Sequence, residues 1–138
     1  MSSFTSPLIV ELTSSGRNWK VARRFTYRIG KKHSRTFVSI PTGFPTDFAS
    51  IPKFIFWLLP WWAKFNKPSP LHDYLYRNKM IMGKPITQKK ADDVFLEAML
   101  IDFRHHKSGR FVAYTEYLAV RVFGHLAWGI KRGKADAR

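Results

Sequence analysis

The chain has 138 residues, enough for one domain with its own hydrophobic core, and its 45% apolar content separates it from disordered sequences. It contains no cysteine, which excludes a disulfide framework, thiolate zinc sites and a cysteine nucleophile and fits a reducing compartment. Lys and Arg number 24 against 9 Asp and Glu, a net charge of +15, which either favours polyanionic partners (nucleic acid, an anionic membrane face, an acidic protein surface) or simply keeps an aromatic-rich protein soluble.

The first residues, Met1 to Pro7, lack a charged region followed by an apolar run, so no signal peptide is expected. Leu8–Leu12, Trp19–Ile29 and Thr36–Ile40 read as strands, separated by turns at Thr13–Gly16 and Gly30–Ser34. Pro41-Thr-Gly-Phe-Pro45 opens a loop that continues to Pro52. Lys53–Leu59 reads as a short helix stopped by Pro60. The 12 Phe, 5 Trp and 5 Tyr should mostly fill the core. Trp57, Trp61 and Trp62 crowd around that proline and read either as core or as an exposed patch for membrane or protein contact.

Ser69 as N-cap and Pro70 at the first helical position start a helix expected to run from about Pro70 to Met82 and to stop at Gly83-Lys-Pro85. Thr87 caps the next helix, whose apolar positions Ala91, Phe95, Met99 and Phe103 recur every fourth residue. His105–Gly109 is a turn, Phe111–Ile130 a long apolar helix, and Lys131–Arg138 a frayed basic tail. Glu116, Arg121 and His125 would be costly in lipid, so this helix is not expected to span a membrane. The whole predicts an α+β fold, a small N-terminal antiparallel sheet followed by three or four helices. One domain covers 1–138, with a β-rich part over 1–40, a motif loop over 41–52, a helical part over 53–130 and the tail over 131–138.

Asp47, Asp73, Asp92 and Asp93 stand beside expected loop or helix starts, where a helix dipole stabilises a carboxylate. In His72-Asp73-Tyr-Leu-Tyr76 the histidine and Tyr76 share a helix face while Asp73 points about 100° away. His72 and Asp92 each lie early in their helices, so an antiparallel hairpin brings them together only if the connection over 83–88 lets the second helix cross or slide. Were they to meet, Asp92 would fix the tautomer of His72, whose other nitrogen could act as general base. Asp73, with Asp47, could hold a hard cation such as calcium, given further oxygens from the loop. The same residues also read as a satisfied polar network in which His72, Asp47, Ser50 and Asp92 pin the loop against the helices. His33, His105, His106 and His125 have no ligand-rich neighbourhood, and Ser50 lacks a nucleophile-elbow context.

Three segments, Pro41-Thr-Gly-Phe-Pro-Thr-Asp-Phe-Ala-Ser-Ile-Pro52, Leu71-His-Asp-Tyr-Leu-Tyr76 and Ala91-Asp-Asp-Val-Phe95 with the residues following to Met99, together resemble a family of tailed-phage and prophage proteins known as domain of unknown function 1353. The likeness extends from about Val38 to the last helix. It implies a phage origin and a gene among the structural or lysis genes. His-Asp-x-x-Tyr followed by Ala-Asp-x-x-Phe more distantly resembles the core of the phospholipase A2 superfamily, particularly its disulfide-free viral members. That resemblance implies His72 as catalytic base, Asp92 as its partner, Asp73 as calcium carboxylate and Tyr76 as support. From the loop itself, apart from the resemblance, Asp47 is a further candidate ligand and Thr46 and Ser50 are candidate supporting residues. The chain has a single glycine, Gly43, where that superfamily carries a Gly-x-Gly calcium loop, and its N-terminal strands are foreign to it.

Three functional expectations follow. The first is a virion-associated tail or capsid accessory protein that docks on other phage structural proteins, without a cofactor and with homo-oligomerisation through the particle. The second is a calcium-dependent phospholipase-like hydrolase acting on lipid as the phage enters or lyses its host. The third is a nucleic-acid-binding accessory protein, from the charge and from Trp19-Lys-Val-Ala-Arg-Arg-Phe25, whose aromatics could stack on bases. The expected location is the virion or the host cytoplasm.

Overall fold

The structure, a computed structural model, describes residues 3–4, 7–14, 19–31, 33–46, 57–60, 63 and 67–136, with side chains through residue 129. Asp47, Ser50, Trp61, Trp62 and most of the helix expected over Lys53–Leu59 lie outside the described residues.

The fold is α+β. Among the described residues six short strands, β1 (Ser3–Phe4), β2 (Val10–Leu12), β3 (Trp19–Val21), β4 (Phe25–Arg28), β5 (Phe37–Ile40) and β6 (Pro45–Thr46), precede helix α1 (Pro68–Asn78). A hairpin of β7 (Met80–Ile81) and β8 (Lys84–Pro85) leads to α2 (Gln88–Asp102) and α3 (Gly109–Asp136). No helix among the described residues is long and apolar enough to cross a membrane.

The N-terminal strands divide into two antiparallel sheets, ordered β1-β4-β5 and β2-β3-β6. The run expected to form one strand over Trp19–Ile29 bends at Ala22–Arg24, and its halves β3 and β4 enter different sheets. In the β4–β5 ladder, Phe25 pairs with Ile40 and Tyr27 with Val38. All four are buried, because alternate residues of a strand share a face. On the opposite face Thr26 and Ser39 share a 2.7 Å hydrogen bond.

Helix α1 ends four residues earlier than expected. Its C-cap is Lys79, in the left-handed conformation at φ 57°, whose N–H returns to the Leu75 carbonyl. The Lys79 ammonium holds this end by donating to the carbonyls of Tyr76 (2.6 Å) and Trp128 (2.9 Å), with the Trp128 ring 3.9 Å away. The chain then forms a two-residue hairpin in which Met82 (φ 52°) and Gly83 (φ 77°) both take positive φ, the geometry that matches strand twist. The helix also begins earlier, at Pro68, without a side-chain cap. Thr87 caps α2 as expected, its hydroxyl accepting from the Lys90 N–H at 3.1 Å. Residues through Asp136, expected to fray from Lys131 onward, continue α3.

Among the described residues two apolar clusters make up the core. One joins the sheets to α1 through Phe25, Tyr27, Ile40, Leu71, Leu75 and Tyr76; the other lies between α2 and α3 around Phe95, Met99, Phe103, Ala113 and Val120. Phe25, one of the two aromatics considered for base stacking, is thus in the core. Glu116 is buried on α3, and burial pushes its carboxyl from 4.5 up to about 8.

Two tests follow. Met82→Asn, which accepts positive φ more readily, should raise stability by ~0.5–1 kcal/mol, whereas Met82→Val should lower it; chemical denaturation that ranks them the other way contradicts the hairpin geometry. Between about pH 4.5 and 8 folded Glu116 retains a proton that the unfolded chain releases, so its contribution is complete below that window and is lost as pH rises through it. Urea titrations should therefore show stability declining across the window, by about 1.4 kcal/mol per pH unit at most from this group. Glu116→Gln should flatten the decline and be the more stable protein at pH 8; parallel pH profiles for the two proteins would contradict this.

Candidate functional site

His72 and Asp92 meet. The early end of α1 leaves His72 only six residues from the helix terminus, about 9 Å of helix. The hairpin then returns the chain beside it, with the Ile86 N–H bonded to the Lys79 carbonyl at 2.9 Å. Helix α2 therefore starts next to Tyr76, and Asp92, one turn in, comes level with both Tyr76 and His72. No sliding of the second helix is required.

The Asp92 carboxylate is the centre of the arrangement. Its Oδ1 lies 2.8 Å from His72 Nε2 and accepts from the Tyr76 hydroxyl at 2.6 Å. Its Oδ2 accepts from the Arg121 guanidinium at 2.8 Å. A carboxylate can only accept, so Nε2 carries the hydrogen of this bond. Burial above all, and then the bond to Asp92, raise the Tyr76 phenol far above its ordinary value, so it remains a donor. The tyrosine hydroxyl also faces Gly124 of α3, where a Cβ would collide with it.

The imidazole is enclosed. His72 and Asp92 have 0% exposure. One ring face of His72 stacks on Phe95 at 4.3 Å between centroids and the ring also contacts Tyr76 at 4.1 Å. Asp73 points away from this centre, as its position on the helix requires, and its Oδ2 accepts from the Thr46 hydroxyl at 2.8 Å. Both residues are buried, so the bond ties β6 and the start of the motif loop to α1. Asp93 faces outward, its carboxyl held below the usual range: partial burial opposes this, but the bonds from Lys89 (2.8 Å) and Tyr117 (2.7 Å) outweigh it.

Among the described residues no three His, Asp or Glu side chains converge as a metal site. Asp73 is engaged by Thr46, and Asp47 and Ser50 lie outside the described residues, so the described part of the chain does not supply an oxygen cage for calcium. Trp57 is exposed; Trp61 and Trp62 are not described.

On the last helix Arg121, which the sequence did not offer as a site residue, turns inward to Asp92, while His125 is exposed with its Nδ1 3.1 Å from the Val122 carbonyl. The available signal was a cation set within an otherwise apolar stretch, which calls for an internal carboxylate. Glu97 was also missed. Its Oε1 accepts from the Tyr27 hydroxyl (2.6 Å) and the Gly30 N–H (3.0 Å), which joins the β4–β5 sheet to α2.

No curated protein and no solved structure is significantly similar to the chain. Residues 19–120, from β3 into α3 and including His72, Tyr76 and Asp92, match the family model described as protein of unknown function (DUF1353), and the chain belongs to that family.

Proposed function

We propose that this protein is a phage-encoded accessory component of a tailed-phage particle, and that its His-Asp core holds the fold together rather than running a reaction. The observation that carries the second half of this reading is the enclosure of His72. Its ring is fully buried between Phe95 and Tyr76, and its partner Asp92 is shared with a phenol and a guanidinium. A general base must reach water or substrate, and a buried carboxylate with this many donors is a structural cross-link. The phage assignment rests on the motif resemblance. The excess of cations suits docking on an acidic protein or other polyanionic surface within a particle.

One observation favours a hydrolase as the second reading. Asp92 and Tyr76 converge on His72 from the positions that the phospholipase resemblance assigns to the histidine's partner and the supporting tyrosine. On that reading Asp73, Asp47 and loop oxygens would hold calcium, which would polarise an ester carbonyl.

The two readings separate in one pair of measurements on the purified chain and His72→Ala. The structural role predicts that the parent releases no fatty acid from phospholipid vesicles with calcium, and that the variant loses ~2–4 kcal/mol of stability through a cavity and the loss of one donor to the buried Asp92 carboxylate. Calcium-dependent release by the parent, abolished in a variant that melts at the same temperature, would overturn it.

A further inference from the structure

Helix α3 is apolar on both sides. Its inner side, with Ala113, Val120 and Gly124, packs into the molecule. Successive helical residues turn by about 100°, so Phe111, Tyr114, Leu118, Val122 and Leu126 fall within about 60° of a line on the opposite side. That line is in solvent: Phe111 is 76% exposed, Leu118 61%, Val122 59% and Leu126 62%. The stripe is about 22 Å long. Beside its start, Leu58 borders a cleft it shares with Phe111, and Trp57 and Leu58 are both exposed. A soluble helix normally turns charge outward, and a contiguous apolar surface of this extent marks a contact site.

The charges around the stripe indicate what covers it. From Phe103 to Ala135 the sequence holds seven Lys and Arg and one acid, Glu116, and that acid is buried. Exposed Arg104, Lys107 and Arg110 stand at the N-terminal end, and the last turns of the helix sequence carry Lys131, Arg132 and Lys134 before Asp136 ends it. An apolar stripe between two cationic ends, with aromatic residues beside it, is the pattern of a helix lying in the plane of a lipid interface. A second copy would bring another +15 against the same cationic ends, and a nucleic-acid backbone would leave the leucines uncovered.

We propose that the outer face of α3 docks on an anionic lipid bilayer, its apolar residues entering the headgroup region while the cations at its ends meet lipid phosphates. This does not depend on whether the His-Asp core is catalytic.

The test is sedimentation of the full chain with phosphatidylcholine vesicles, with and without phosphatidylglycerol. The parent should partition onto phosphatidylglycerol vesicles and weaken steeply with salt. Leu118→Glu/Leu126→Glu should bind at least tenfold less tightly while circular dichroism remains unchanged. Leu118→Ser/Leu126→Ser removes the apolar side chains without adding charge and decides the outcome if the glutamates disturb the helix. Absence of partition onto either vesicle overturns the proposal. Equal binding by the serine variant and the parent would reduce the effect to charge alone and overturn it too. A lipid-free dimer that the substitutions dissociate, without vesicle binding by the parent, would assign the face to a second copy instead.

Discussion

A carboxylate removed from water must be compensated by donors or it destabilises the fold. Asp92 meets that requirement with groups from two other helices: His72 and Tyr76 of α1 and Arg121 of α3. Apolar packing alone tolerates small rotations and shifts between helices. A carboxylate whose two oxygens are bonded from opposite sides does not, so this contact sets the register of all three. Tyr117 and Arg121, one turn apart on α3, reach the neighbouring Asp93 and Asp92, which fixes α3 against α2 at two levels. Gly124 completes the fit because a larger residue would displace the Tyr76 hydroxyl.

The same use of acids extends beyond the helices. Asp73 receives Thr46 of β6, and Glu97 receives Tyr27 and Gly30 from the β4–β5 sheet. Of nine acids in the chain, these two together with Asp92 and Asp93 are spent on bonds between elements. Among the described residues Arg23, Arg24, Lys31, Arg35, Lys84, Lys90, Lys107 and Arg110 are exposed, so positive charge faces solvent. A fold cross-linked by its acids and coated by its bases presents a positive exterior to any partner.

Much of this was legible in the chain. The order of the helices and the Thr87 cap follow from cap residues and apolar spacing, whereas the His-Asp-x-x-Tyr motif named His72 and Asp92 as candidates without bringing them together. The end of α1 was not, because Lys79 carries no signal for a left-handed C-cap and Met82 is an unusual residue for a positive-φ turn. That single difference explains why the expected distance between His72 and Asp92 was too large: a helix continuing to Met82 would have carried α2 a further turn away. The bend at Ala22–Arg24 was hidden because an alternating run looks the same whether its halves join one sheet or two. The inward turn of Arg121 depends on a partner far away in sequence, and the exposure of α3's outer side could not be told from core by apolar spacing alone.

The central claim is that Asp92 binds its donors as one unit. A double-mutant cycle between Tyr76→Phe and Arg121→Met, followed by equilibrium urea unfolding, tests it most directly, because the two side chains reach different oxygens of the same carboxylate. Each single change should cost ~1–3 kcal/mol, and the double variant should depart from their sum by more than ~0.5 kcal/mol. Costs that add to within that margin would mean that the two contacts are independent and that the helices are held in register by apolar packing instead.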